Sequence, residues 1–459
     1  MTRTSTDAPR PQRGTGPFGR SFALVVGVLV LVCAVFGVLS QVQGPKLTRT
    51  SVDASAVVDR AGQQLRFFAN QAVARVDASQ VTVSPAAAVT VQTAGDVVAV
   101  QFTERLRWDA TYRVTVEGVT SLYHPRSSTF ETRFSTGTAD AWRLVRGSDG
   151  ADDVVERAPL HGGERRTVWS APDVQAFEPF DTAVAVVTDD GERSRLRLVS
   201  DDGLAAEDLP LPGEGRVTAF GADRATTTLA FSFRAAGTDT DVLWTLPLQG
   251  AREPVPVASL TGEPLQVAEW GFVPGQDTVV VRGDDDALTV VDLSGVEPPR
   301  PLGTYVALQS ISPDGGSVLA ATALQTVRVD LATGREEPVA FAAVDGRTPF
   351  RGEVAALADG RAVQQVTLAL DDGGRYETRI VLDDGEEAVT LYEPPASSSI
   401  VRFSVSPNGQ YLAVETAPVD AGTDADDLVD ASPPGVTTVV VDVAAQGVVA
   451  SFAGQSVHW

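Results

Sequence analysis

Ser310-Ile311-Ser312-Pro313-Asp314-Gly315-Gly316-Ser317-Val318-Leu319-Ala320 returns 94 residues later as Ser404-Val405-Ser406-Pro407-Asn408-Gly409-Gln410-Tyr411-Leu412-Ala413. Each copy is an apolar run, a Pro-Asp/Asn-Gly turn and a second apolar run, as two tightly joined antiparallel strands require. Degenerate copies stand at Gly271-Phe272-Val273-Pro274-Gly275 and Leu357-Ala358-Asp359-Gly360-Arg361-Ala362.

A second marker, an apolar strand ending in a polar turn with glycine, reads Leu196 to Gly203, Trp244 to Gly250, Val290 to Gly295, Val329 to Gly334, Ile380 to Gly385 and Val441 to Gly447, with Pro159 to Gly162 as a weaker first member. Seven markers at intervals of about 40 to 60 residues have the period of a four-stranded propeller blade. The expectation is a seven-bladed β-propeller over residues 140–459. Gln455-Ser456-Val457-His458-Trp459 matches Gln266-Val267-Ala268-Glu269-Trp270, the first strand of a blade. It is therefore expected to complete the blade that begins near Trp142 and so to close the ring.

The Ser-Pro-Asp/Asn-Gly repeats resemble the TolB-like and WD-like propellers of bacterial envelope proteins. No WD dipeptide recurs, which places the resemblance nearer the TolB-like type. It implies a fold and is nearly silent about function.

Upstream, residues 45–137 alternate apolar and polar positions with period two, as half-buried strands do. Leu65 and Phe67 lie on one face, as do Val81 and Val83, then Val98, Val100 and Phe102, then Tyr112, Val114 and Val116, then Phe130 and Phe134. About seven short strands in this length predict a β-sandwich. Val81-Thr82-Val83-Ser84-Pro85, Leu106 through Thr111-Tyr112-Arg113-Val114-Thr115-Val116-Glu117-Gly118-Val119, and Phe130 to Phe134-Ser135-Thr136 resemble the bacterial Ig-like domain of surface-layer and envelope proteins. That resemblance implies a spacer or adhesion module without catalytic residues.

Residues 21–40 hold no charged side chain, and Phe22 to Leu39 is almost wholly Val, Leu, Ala, Phe and Gly. A helix of this length suits roughly 30 Å of hydrocarbon. Arg3, Arg10, Arg13 and Arg20 precede it against Asp7, which puts the basic tail 1–20 in the cytoplasm and the rest outside a plasma membrane crossed once. A cleaved signal peptide is the alternative, with Val38 and Ser40 as weak cleavage-site residues and an apolar run longer than such peptides carry. The whole chain is thus expected to be all-β, an Ig-like sandwich and a propeller, behind one N-terminal membrane helix.

The net charge of −24, from 60 acids and 36 bases, disfavours nucleic acid and anionic membrane surfaces as partners. Lys46 is the only lysine, and Cys33 the only cysteine, so no internal disulfide forms. His124, His161 and His458 stand far apart without metal-ligand spacing, and no G-x-S-x-G or P-loop motif occurs. No catalytic or cofactor-binding residue is therefore assigned, and no cofactor is expected. Metal binding stays open at Asp420, Asp424, Asp426, Asp427 and Asp430, whose oxygens suit Ca²⁺ but whose spacing departs from the EF-hand. A solvated acidic loop is the simpler reading. Asp284, Asp285, Asp286, Asp239 and Asp241 read as exposed turns. Trp169, Trp244 and Trp270 read as packing residues before they read as a binding face.

The functional expectation is a non-enzymatic, membrane-anchored binding or scaffolding protein whose partner is an envelope protein or cell-wall ligand. The alternative is an envelope hydrolase using acidic residues that converge in the propeller channel, and paired acids with shifted pKa values would mark it.

Overall fold

The computed structural model describes residues 21–22, 24–32, 44–123, 125–148, 150–370, 374–422, 429 and 432–459. The tail 1–20, Cys33, His124, Asp424, Asp426, Asp427 and Asp430 lie outside these residues, as does part of the 21–40 segment. Residues 21–22 and 24–32 are helical. Among the described residues no helix is long and apolar enough to cross a membrane.

The described chain is nearly all β-structure and divides into two units, one of residues up to Thr103 with Thr111–Ser135, the other of Glu104–Ala110 with Thr136–Trp459. The first unit holds a four-stranded sheet, in the order Leu47–Ser51, Gln64–Ala69, Val97–Phe102, Val89–Ala94, and a three-stranded sheet of Val81–Ser84, Thr111–Thr120 and Ser127–Ser135. Alternation turns Leu65, Phe67, Val98, Val100 and Phe102 inward on one sheet and Tyr112, Val114, Val116 and Phe130 on the other, and all are buried. Rings from the two sheets meet as Phe67 on Phe130 at 6.3 Å and Phe102 on Phe134 at 6.1 Å.

Among the described residues the second unit contains seven four-stranded antiparallel sheets. Six are simple meanders in chain order, beginning with Val174–Pro179, Gly215–Asp223, Glu269–Phe272, Ala307–Ile311, Phe350–Ala356 and Ser398–Val405. The remaining sheet, the first, joins Gln455–His458 to Asp140–Val145, Asp153–Pro159 and Arg166–Ala171. From the second sheet to the last the leading strands of successive sheets are neighbours, and Gln455–His458 neighbours both Val174–Pro179 and Thr437–Asp442 of the last sheet. This is the topology of a β-propeller, with the leading strands innermost and the ring closed by the last strand of the chain.

The repeat turns show why their residues recur. Ser312 Oγ donates to Asp314 Oδ1 at 2.5 Å, while Asp314 Oδ1 accepts the Gly316 N–H and Ser312 Oγ the Ser317 N–H, both at 3.0 Å. The second copy repeats this with Ser406, Asn408, Gln410 and Tyr411 at 2.9, 3.1 and 2.9 Å. Gly315 and Gly409 take φ of 69° and 68°, where a Cβ is strained. The second marker maps onto the third strand of every sheet and its following turn. At the last marker Gln446, with φ of 53°, occupies the left-handed position in place of glycine.

Residues 104–110 fall within the stretch the sequence assigns to the sandwich, yet they belong to the second unit. Several anchors hold them there. Gln410 Oε1 accepts the Trp108 N–H at 2.7 Å, Asn408 Nδ2 donates to Leu106 O at 3.0 Å, and Arg107 pairs with Asp442 at 2.9 Å. Trp108 stacks on Tyr411 at 6.0 Å and on Trp459 at 6.1 Å, and Tyr411 on Trp459 at 5.7 Å. The repeat's change from Asp314 and Gly316 to Asn408 and Gln410 supplies the amides that hold this segment.

Candidate functional site

The innermost strands carry the polar groups nearest the propeller axis, and most of these strands are irregular. Register shifts occur at Val174/Ala176, Val217/Ala219, Leu308/Ser310, Arg351/Val354, Ile400/Arg402 and Gln455/His458; Glu269–Phe272 has none. A bulge leaves backbone groups without a ladder partner and re-aims a side chain. Here the neighbouring sheet supplies the partner. Asp153 accepts the Val174 N–H at 3.0 Å, Ser194 Oγ that of Val217 at 2.9 Å, Glu269 that of Leu308 at 2.6 Å, Ser310 Oγ that of Ala356 at 3.1 Å, and Glu415 that of Ser456 at 2.5 Å. The Trp270 indole donates to Ser232 Oγ at 2.8 Å, and Glu353 takes the Phe403 backbone amide. Every junction between neighbouring sheets is thus crossed by a hydrogen bond from a leading strand.

The acids in this ring hold further donors. Glu269 accepts Arg282 Nε at 2.9 Å, Glu415 lies 3.2 Å from Arg402 Nε, and Asp153 accepts Arg146 at 2.9 Å and the Gly147 N–H at 2.8 Å. Asp189 is buried and takes Arg216 through both oxygens, at 2.6 and 3.2 Å, together with Ser194 Oγ and the Gly191 N–H at 2.8 Å. Burial would raise its pKa, but the Arg216, Ser194 and Gly191 donors outweigh that and hold it below the usual carboxylate range.

Glu353 moves the other way. Surrounding protein pushes its carboxyl up, against the Phe403 amide and Arg402, although its side chain stays in reach of water. A raised acid keeps a proton that the unfolded chain releases, so stability is lost as pH rises through about 4.5 and onward to the folded pKa. Glu353→Gln should therefore raise the melting temperature by about 1–3 °C at pH 7 and leave it unchanged at pH 4, read by calorimetry.

Of the histidines, the structure places His458 on the leading strand of the first sheet and His161 on an outer turn, and does not bring them together. His161 Nε2 shares a hydrogen bond of 3.0 Å with the Tyr411 hydroxyl, whose pKa burial raises to about 12. The His458 ring packs edge-on against Phe177 at 4.8 Å, with Nδ1 3.4 Å from Glu178 Oε2. Burial, followed by the Arg224 charge, lowers its pKa to about 3, even with a quarter of its side chain accessible, so the imidazole is neutral at physiological pH. Beyond Glu178 stands Gly221, where a Cβ would lie 3.2 Å from the Trp270 ring and 3.9 Å from Glu178 Oε1. A side chain there would fill the gap between carboxylate and indole.

Trp169, Trp244 and Trp270 pack, partly buried, against three different cores between sheets. Asp239, Asp284 and Asp285 are exposed turn residues, as is Asp420 in the described part of its loop. Among the described residues no group of three or more His, Cys, Asp or Glu is set to hold a metal. Asp140, Arg157, Pro159, Glu164, Arg165 and Arg166 line an open cleft of about 460 Å³ on the first sheet, where Arg157 is already held by Asp140 at 2.6 Å. The ring of cross-sheet bonds was not foreseen. Its sequence trace is the local motif Val174-Gln175-Ala176-Phe177, Val217-Thr218-Ala219-Phe220 and Leu308-Gln309-Ser310-Ile311, in which the polar second residue is the one the strand register skips.

No family model matches the chain, and no curated protein sequence matches it. Among solved structures it is similar to an acylaminoacyl peptidase in complex with Z-Gly-Gly-Phe-chloromethyl ketone, at 10% identity and a TM-score of 0.44 over 74% of this chain and 50% of that one. It is also similar to a TolB from Agrobacterium tumefaciens (13% identity, TM-score 0.35, 69% of this chain and 90% of that one) and to a 6-phosphogluconolactonase from Bacteroides uniformis (14%, 0.39, 69% and 98%). The chain spans half the length of the peptidase it matches.

Proposed function

We propose that this is an extracytoplasmic binding or scaffolding protein of the cell envelope, a seven-bladed propeller and an Ig-like sandwich held at the plasma membrane by one helix over residues 21–40, with an envelope protein or cell-wall ligand as partner. The observation that carries the reading is the commitment of four of the interior acids. Glu269, Glu415, Asp153 and Asp189 each hold an Arg, and each also takes a backbone amide. A hydrolase working through carboxylates in this channel would need two acids available to substrate, one of them as proton donor. Carboxylates occupied in this way act as fasteners between sheets, leaving loops at the ends of the ring to meet a partner.

Crosslinking of the tagged full-length protein in its own cells, followed by mass spectrometry, tests this. A reproducible envelope partner that is lost when residues 140–459 are removed and kept when residues 45–137 are replaced is the expected result. Turnover of envelope glycans or peptides by the purified protein, abolished by Glu353→Gln or Glu178→Gln, would overturn it in favour of the hydrolase.

A further inference from the structure

The two ends of the ring differ in their exposed apolar residues. Where the leading strands begin, three consecutive sheets present Val306 (51% exposed), Leu324 (95%), Phe350 (66%), Tyr376 (64%) and Val419 (59%). Val306 precedes Ala307–Ile311, Leu324 lies in the turn after Ser317–Ala321, Phe350 and Tyr376 open Phe350–Ala356 and Tyr376–Asp383, and Val419 follows Tyr411–Pro418. In an up-and-down meander all these positions fall at the same end. The Phe350 and Tyr376 rings meet at 6.3 Å. At the opposite end the exposed apolar residues Leu204, Val255, Val296 and Val448 are all aliphatic, and among the described residues of the second unit the two exposed aromatic rings belong to the arc.

Acids border the apolar arc. Asp284, Asp285 and Asp286 fill the turn of the preceding sheet, Asp345 lies in the connection leading to Phe350, and Asp420 follows Val419. Among the described residues the cations at this end include Arg282, which holds Asp286 at 2.6 Å, Arg347, which donates to Ala369 O at 3.1 Å, Arg375, and Arg379, which is shared by Asp345, Glu377 and Glu393, so that these four arginines face seven acids. The charge around the arc is therefore negative. A partner that covers the arc and matches its border must be apolar on one face and basic beside it.

We infer that the arc Val306–Leu324–Phe350–Tyr376–Val419 is the docking surface for a basic amphipathic segment of a protein partner. This rests on the binding reading above and adds the partner's chemistry and its place on the ring. The arc supplies desolvated anchors, and the acidic border supplies orientation and salt-dependent association.

The test uses the full-length chain and a labelled amphipathic Lys/Leu helix of about five turns, with Glu/Leu and Lys/Ser helices of equal length as comparisons. The Lys/Leu helix should bind, weaken as salt is raised, and bind about tenfold more weakly to Leu324→Asp and Phe350→Asp. Leu204→Asp, at the opposite end, should bind as the parent does. Both arc positions are exposed, so melting temperatures should match the parent's and separate lost docking from lost folding. Equal binding of the Lys/Leu helix to parent and arc variants, or equal binding of the Glu/Leu helix, would overturn the inference. So would a parent oligomer that dissociates in Leu324→Asp, since a second copy would then be the occupant. If the partner from the crosslinking experiment is captured equally by parent and Leu324→Asp, this surface fails while the binding reading stands.

Discussion

Removal of residues 455–459 should lower the melting temperature by on the order of 10 °C, measured by calorimetry on the full chain. The deletion strips the innermost strand from the first sheet and, with it, the buried Gln455, Ser456 and Val457. It leaves the Glu415 carboxylate, 4% exposed, without the Ser456 N–H it accepts at 2.5 Å, beside Arg402. It also removes Trp459 from its stack with Trp108 and Tyr411. Burial of Val457 accounts for about 1.5–3 kcal/mol, each aromatic pair for about 0.5–1.5, and an abandoned buried acceptor for about 1–3. Together these amount to roughly 5 kcal/mol, and about 2–4 °C per kcal/mol suits a unit of this size. An unchanged transition would mean that the ring is held by sheet-to-sheet packing alone.

Asp189→Ala should cost about 3 kcal/mol in urea unfolding at pH 7. The side chain is 2% exposed and accepts two bonds from Arg216, one from Ser194 and one from the Gly191 amide, all of which lose their acceptor. Arg216 is 31% exposed and can turn to water, which places the loss near the lower end of the range for broken buried pairs. The pH dependence has a fixed sign. Because the folded pKa lies below the ordinary value of 3.8, the carboxylate's contribution is fully present above that pH and fades as pH falls through the folded pKa. The gap between Asp189→Asn and the parent should narrow in acid. A gap that is constant from pH 7 to pH 3 would assign the loss to packing and not to charge.

What was legible in the sequence is what local chemistry dictates. The Ser-Pro-Asp-Gly turn is written in adjacent residues because Ser312, Asp314 and the Gly316 amide satisfy one another within five positions. The glycines after the third strands are visible for the same reason, and the match of residues 455–459 to a first strand located the ring closure. The candidate site was less legible because its bonds join residues on different sheets. Nothing adjacent to Glu415 announces Ser456, and nothing near Asp153 announces Val174. Leu106 and Trp108 fall in the stretch assigned to the sandwich because position in the sequence does not name a partner. Theirs are Asn408 and Gln410, 302 positions away.

The pairing of Gln455–His458 with Asp140–Val145 also sets a timetable. Synthesis delivers the outer strands of the first sheet early and its innermost strand only after the six other sheets have emerged. Until then the Asp140–Val145 edge has no partner strand, and Glu415 waits for an amide not yet made. The first and last sheets cannot join until residues 455–458 have been made, and up to that point the propeller is an unsealed arc. An open sheet edge in that interval can pair with a neighbouring chain, and a chaperone that covers it would act on residues 140–179 before any others.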